Sequence, residues 1–382
     1  MLAQKYNIQA QKAQEIQAKL YPNPNFSIFY SIYNSTTGKF FPTGPGTAGS
    51  EISMQLSQMI YLAGQRNKQV KMAEANTRLS EFQFYDLIRT LKYTLRGDFY
   101  TIYFLLHSAS VYDEEIKSLQ QVVRAFEEQA GKGYIAEKEV IRVKAQLYSL
   151  LTESQDLINQ INDKESELRL VLQVKDSFIL PQLDSGKLDA LSPSTYPLAV
   201  LLDSAYLNRT DLKIARTNVE ASKLNYSYQK ALAVPNLTLA LAYDKQGSYI
   251  NNLPSLGAAI DLPFFNRNQG NIQTAKITTD ANNALQQSTE ATVQENVSRA
   301  LEKAYANDKM YRTIDPKFLR DFDHMLNEVL VNYEKRNLTL LDFLDFYESY
   351  KDNVLSSNSI QLNRLNAFED INYYTGTEFF QP

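Results

Sequence analysis

Pro24-Asn25-Phe26-Ser27-Ile28 returns later in the chain as Pro235-Asn236-Leu237-Thr238-Leu239, and both copies follow a helical run containing Ala and Lys. From each proline onward the hydrophobic period changes. Phe26, Ile28, Tyr30 and Ile32 alternate with Ser27, Phe29, Ser31 and Tyr33, and Leu237, Leu239, Leu241 and Tyr243 alternate with Thr238, Ala240 and Ala242. A period of two is the signature of a strand with two unlike faces. Each copy is followed by a second such run. In the first, Ile52, Met54 and Leu56 alternate with Ser53, Gln55 and Ser57; in the second, Leu256, Ala258, Ile260 and Leu262 alternate with Gly257, Ala259 and Asp261. Each copy therefore supplies one hairpin. The connections, Asn34 to Gly49 and Asp244 to Ser255, are rich in Gly, Pro, Asn and Ser, as exposed loops are. Pro22, Pro24 and Pro235 stand where helix must stop.

Working outward, the order of elements is the same twice. Leu56-Ser57 with Tyr61, Gln65 and Asn67 is echoed at a constant offset by Ile260-Asp261 with Phe265, Gln269 and Asn271; Gly133 and Glu139-Val140-Ile141 correspond to Arg336 and Asp342-Phe343-Leu344. This divides the chain into a first repeat, residues 1–175, a linker, 176–200, and a second repeat, 201–382. The second repeat has more helix and linker ahead of its first strand than the first, so an amino-terminal portion is expected to be missing. Met1 accordingly runs straight into a polar, Ala-rich segment with none of the pattern of a signal peptide.

Between the hairpins the sequence predicts helices of unusual length. Gln65 to Gln129 has no proline and a single glycine, Gly97, and Phe84, Ile88, Leu91, Leu95, Phe99, Ile102 and Leu106 recur every three or four positions. At 1.5 Å per residue one such helix is roughly 100 Å long. After a turn at Gly131 and Gly133, Val140, Val143, Leu147, Leu150, Leu157, Ile161 and Leu168 keep a coiled-coil spacing, with Ser154 and Lys164 falling on the seam. The second repeat gives Gln269 to Lys335, interrupted at Asp315-Pro316, and a return helix from Leu340 to Tyr374.

Composition excludes several function classes. The chain has 382 residues, 44% of them apolar and 21% charged, the proportions of a folded protein. A formal charge of -4 without a basic stripe makes nucleic acid an unsuitable partner. There are no cysteines, and His107 and His324 are the only histidines; His107, beside Leu105 and Leu106, reads as structural. No nucleophile elbow, zinc-protease spacing or phosphate-binding loop is present, so neither an enzyme nor a cofactor or metal site is expected. Paired acids such as Glu114-Glu115 and Glu127-Glu128 read as a solvated helix face. No run approaches the ~20 apolar residues of a membrane helix.

The strands pose a geometric question. They suit a membrane barrel wall in length, yet four strands fall short of the minimum of about eight that closes one. An open edge in lipid leaves backbone groups unbonded, so sister chains must complete the sheet. Two hairpins in each of three chains would give about twelve strands. The aromatic excess, 25 Tyr and 19 Phe against no Trp, then has a place: Tyr21, Phe26, Phe40, Phe41, Tyr61, Tyr243, Tyr249, Phe264 and Phe265 flank the hairpins, where interfacial girdles lie.

On these residues the chain resembles the TolC-like outer membrane efflux protein family, over essentially all of its length. The particular fingerprints are Asn208-Arg209-Thr210-Asp211-Leu212-Lys213-Ile214-Ala215, the hairpin-to-helix turns, and Tyr333 with Asp342-Phe343-Leu344-Asp345. The resemblance implies a mainly α protein with a small β-barrel contribution: a homotrimer with a twelve-stranded barrel in outer-membrane lipid and a long coiled-coil tunnel across the periplasm. It implies a passive duct that docks a periplasmic adaptor and an inner-membrane pump such as an RND transporter. Its hairpin loops would lie outside the cell and its helix turns in the periplasm. Heavy-metal, multidrug and protein-secretion systems share such a component, and the short form here leans toward the heavy-metal group. A non-conducting coiled-coil scaffold or adaptor is the alternative, which the long helices alone would suit but the hairpins would not.

The resemblance also assigns a site. Gly131, Gly133, Arg336 and Asn337 would form the periplasmic tip turns, and Tyr333, Asp342, Asp345 and Glu139 the gate. Asp342 and Asp345 are three apart and share a helix face, so threefold symmetry would make them rings of carboxylates of the kind that select cations. Tyr333 is the expected hydrogen-bonding partner. The other reading of Asp342 is a first-turn acid that caps the return helix and complements its dipole. Arg142 stands opposite Asp345 in the first repeat, and Leu338 occupies the place of a bracing basic residue, with Arg336 close by.

Overall fold

The structure, a computed structural model, describes residues 1–42, 51–175, 179–246, 250–315 and 337–381, with 317, 325, 328–329, 331–333 and 335 between the last two. His324, Arg336, Pro316, Thr47 and Tyr249 lie outside the described residues. In chain order the elements are α1 (Leu2–Lys19), β1 (Asn25–Tyr30), β2 (Tyr33–Asn34), β3 (Lys39–Phe40), β4 (Ile52–Ile60), α2 (Gln65–Gly131), α3 (Glu137–Leu172), α4 (Ser185–Ala190), α5 (Leu198–Asn208), α6 (Thr210–Leu232), β5 (Leu237–Gln246), β6 (Asn251–Ile260), α7 (Gln269–Thr313) and α8 (Leu340–Thr375). None of the described helices is both long and apolar enough to cross a membrane, which says nothing of a barrel.

Two compact units emerge, and they cut across the order of the chain: residues 1–85 with 210–289, and 86–209 with 290–382. The first unit holds the sheet. Its order is β1-β4-β5-β6, all neighbours antiparallel. The two hairpins thus join edge to edge through β4 and β5. Gln65 fixes the base of this junction, donating from Nε2 to the carbonyls of Ala231 and Val234, while Asn236 accepts from the Leu62 N–H.

The strands differ from the expected bounds in instructive ways. The second hairpin's pairing runs further into the expected loop: Tyr243 pairs with Pro254, Asp244 with Leu253 and Gln246 with Asn251, so the ladder takes in residues that composition assigns to a loop. The first strand ends at Tyr30 instead of Tyr33, and Tyr33 and Asn34 form a separate two-residue pairing with Lys39 and Phe40. That small hairpin rests on local chemistry. Asn34 Oδ1 accepts from the N–H groups of Thr36 and Thr37, Gly38 takes φ 68°, and the Tyr33 and Phe40 rings lie 5.0 Å apart. The expected linker is also partly structured, containing α4, a 3-10 turn at Pro193–Thr195 and the start of α5.

The second unit is built on helix. α3 buries Val140, Val143, Leu147, Leu150, Ser154, Leu157, Ile161, Glu165 and Leu168, a coiled-coil stripe over its whole length. One expected seam position is corrected. Lys164 is turned outward, and Glu165 lies on the buried stripe in its place. From this part-exposed position Lys164 Nζ reaches the buried Asp98 Oδ1 on α2 at 3.3 Å and Glu167 Oε2 at 2.6 Å. Tyr112, Leu119, Val122, Val123 and Phe126 of α2 and Phe343 and Tyr347 of α8 complete one core with α3. Near the carboxyl terminus α5 packs on α8. Gly376 is required there, since its φ is 69° and an added Cβ would lie 3.2 Å from the Asn208 carbonyl carbon.

Arg364, 2% exposed, bonds Asp308 at 2.8 Å, donates to the Leu188 and Leu191 carbonyls, and lies over the Tyr311 ring at 4.2 Å. These bonds tie α4 and the chain after it to α7 and α8.

Candidate functional site

Two places are candidates, one in each unit. The first is the sheet surface. Its register puts Phe26 opposite Leu56 and Ile28 opposite Met54; Leu56 and Met54 then face Leu241 and Tyr243, which face Leu256 and Pro254. Because side chains alternate along a strand, all of these share one face. The other face is mostly small or polar, with Ser27, Ser53, Gln55, Ser57, Ala240, Ala242, Ser255 and Gly257, and carries Phe29, Met59 and Leu253 as its large apolar residues. The apolar face is uncovered: Phe26 is 64% exposed, Leu241 60% and Leu256 78%. Phe264 and Phe265, just beyond β6, are exposed as well. An apolar surface this continuous marks a contact with lipid or protein. The sheet also ends at β1 and β6, each paired on one side alone among the described residues.

The second place is where the helices turn. α2 ends in a left-handed cap: Gly133 has φ 78°, its N–H donates to the Ala130 carbonyl at 2.9 Å, and the Tyr134 N–H donates to the Gln129 carbonyl at 2.9 Å. Gly131 and Gly133 are therefore at a turn, as expected from their spacing. At the second turn Asn337 N–H donates to the Asn332 carbonyl at 2.9 Å, the same five-residue step back.

The return helices begin differently. α8 opens with a capping box: the Asp342 N–H donates to Thr339 Oγ1 at 3.2 Å, and the Asp342 carboxylate accepts from Thr339 Oγ1 at 2.6 Å and from its N–H. In α3 the cap position is Ala136, which has no side-chain acceptor to offer. Glu139, at the position matching Asp342, is thus released from capping and lies close enough to Tyr333 to perturb it. Burial first, and the Glu139 charge second, push the Tyr333 hydroxyl up to about 12.

The structure brings together Tyr333 and Glu139 from the expected gate set, and it places Asp342 and Asp345 on the exposed first turns of α8. Among the described residues it does not give the expected Tyr333 bond to Asp342, whose carboxylate is held by Thr339. Tyr333 instead lies between two rings, 4.3 Å from Phe343 and 6.2 Å from Phe126, both stacked. Those aromatic partners are not legible from spacing, because they come from α2 and α8. A cleft of about 670 Å³ opens beside them, lined by Phe126, Tyr134, Ile135, Glu139, Arg142 and Leu341 among others.

The comparisons with known proteins agree with this architecture. No protein-family model matches the chain. The cobalt-zinc-cadmium resistance protein CzcC of Cupriavidus metallidurans is 25% identical over 160 residues, a match that spans 42% of this chain and 38% of that protein. Among solved structures, CusC, described for its transmembrane channel formation, superposes with a TM-score of 0.78 at 16% identity, covering 98% of this chain and 88% of that one. The CmeC outer membrane channel of Campylobacter jejuni gives 0.78 at 14% identity, covering 99% and 84%. The outer membrane protein VceC of Vibrio cholerae gives 0.74 at 16% identity, covering 99% and 92%. The chain has the fold of outer membrane channels.

Proposed function

We propose that this chain, which has the fold of outer membrane channels, is itself an outer-membrane efflux channel subunit: a passive trimeric duct, extending into the periplasm and without enzymatic activity. The observation that carries the reading is the sheet. Four strands keep one register-matched apolar face bare and two edges open, and lipid with sister strands would satisfy both at once. A coiled-coil scaffold has no use for such a sheet. The repeated order of hairpin, long helix, turn and return helix supports a duplication at 1–175 and 201–382 joined by 176–200.

In this reading the hairpin loops face the exterior. Gly131, Gly133, Arg336 and Asn337 form the periplasmic turns, and Tyr333, Glu139, Asp342 and Asp345 form the gate. The chain joins a periplasmic adaptor and an inner-membrane pump, which supply the energy. The likeness to CzcC favours divalent heavy-metal ions as the cargo. Deleting the gene should lower tolerance to cobalt, zinc and cadmium, with the full-length protein found in the outer-membrane fraction; unchanged tolerance would remove the metal assignment, and a water-soluble full-length protein would remove the duct.

The gate proposal has its own test. In planar bilayers the Asp342→Ala, Asp345→Ala double variant should lose cation selectivity and block by multivalent cations. A variant that conducts like wild type and only melts earlier would leave Asp342 a capping residue.

A further inference from the structure

Glu115, on α2, is 3% exposed, and its Oε1 has no hydrogen-bond partner among the described residues. The charged and titratable groups around it come from three helices: Tyr112 on α2, Glu153 on α3, and Glu348, Lys351 and Asp352 on α8. Lys351 is the cation at the centre. Its Nζ donates to Glu153 Oε2 at 2.8 Å, the Tyr112 hydroxyl donates to the same oxygen at 3.3 Å, and Lys351 Nζ sits 5.9 Å from the Tyr112 ring centroid. One cation therefore faces two carboxylates and is bonded to the more exposed of them. The second, buried without a donor on Oε1, is costly to ionise.

We propose that Glu115 holds a proton at neutral pH, and that losing this proton loosens α8 from α2 and α3. Burial is the main cause, pushing the carboxyl up to about 8; Lys351 pulls it back, while Glu153, Asp352 and Glu348 push it further. Apart from this polar group and Ser154, the seam is lined by apolar side chains, with Leu119, Val143, Leu147, Leu150 and Tyr347 in the same core. A bare carboxylate among them favours any arrangement that admits water.

The sign follows from linkage. In a loosened arrangement Glu115 ionises above its ordinary value of 4.5, whereas in the packed one it stays neutral until about 8. The packing is favoured fully below the lower value, is lost progressively as pH rises between the two, and is level above the upper one. On the duct reading α8 also carries Asp342 and Asp345, so the same proton sets how firmly those acids are held.

Amide hydrogen exchange along α8, corrected for the intrinsic rate and measured on the full-length protein, tests this without reference to conduction. Wild-type protection should fall by up to about tenfold per pH unit between about pH 5 and pH 8 where opening exposes the carboxyl, then level off. Glu115→Gln, which keeps the shape and stays neutral at every pH, should abolish that slope. Lys351→Met should extend the slope to higher pH, because Glu115 loses the cation that lowers it, and this second variant decides the matter if the first fails to fold. Wild-type protection that does not vary with pH, a slope that survives Glu115→Gln, or an upper limit unmoved by Lys351→Met would each overturn the proposal.

Discussion

The four-stranded sheet and the α2–α3–α8 core are both two-faced, but they spend their apolar residues differently. In the core, Val143, Leu150 and Phe343 are buried by partners within the chain. In the sheet, Phe26, Leu241 and Leu256 are as apolar and lie bare. Folding of the single chain accounts for the first region and leaves the second incomplete. An apolar face carried in register across four strands is a surface made for something outside the chain.

Substitutions should separate the two regions, with the largest effect in the core. Phe343→Ala removes a fully buried ring from between Tyr333 and Tyr347 and should cost about 3–5 kcal/mol, read as a lowered thermal midpoint. Leu256→Ala should change that midpoint little, and equal losses at both positions would break the comparison. Arg364→Ala should come close behind, about 3–5 kcal/mol, since it strands the Asp308 carboxylate that is otherwise bonded at 2.8 Å. Retained stability there would mean that Arg312, also bonded to Asp308, suffices alone.

The sheet can be sharpened face against face. Leu241→Arg should impair refolding into lipid bilayers by roughly 2–4 kcal/mol, whereas Ala242→Arg, on the small-residue face, should be tolerated. The reverse order would turn the sheet inside out. The smallest effect belongs to the cap. Thr339→Ala should cost on the order of 1 kcal/mol by opening the box with Asp342, while Ala136→Thr, at the matching position of α3, should stabilise by a similar amount or less.

Most of this architecture is legible in the sequence where a local period carries it. The alternation at 237–243 and the three-four spacing from Val140 to Leu168 each report on one element and its buried face. Legibility fails where a partner from elsewhere decides. Of Lys164 and Glu165, the buried stripe takes Glu165, while Lys164 pairs with Asp98 on α2, a partner no local spacing reveals. The ladder to Leu253 and Asn251 extends a strand through residues that look like loop. Glu115 reads as half of a solvated acidic pair, because nothing local says that α8 will cover it. For the turns, spacing finds Gly131 and Gly133, while the stacking of Tyr333 between Phe126 and Phe343 depends on three separated stretches of chain.

The central claim is that the sheet is finished by other copies of the same chain. The direct measurement is the protein mass of the full-length molecule extracted from membranes in mild detergent, with the detergent contribution subtracted. Three chains per particle, inserting into planar bilayers as one conducting unit, is the predicted result. A stable particle of one chain that needs no detergent to stay in solution would contradict it.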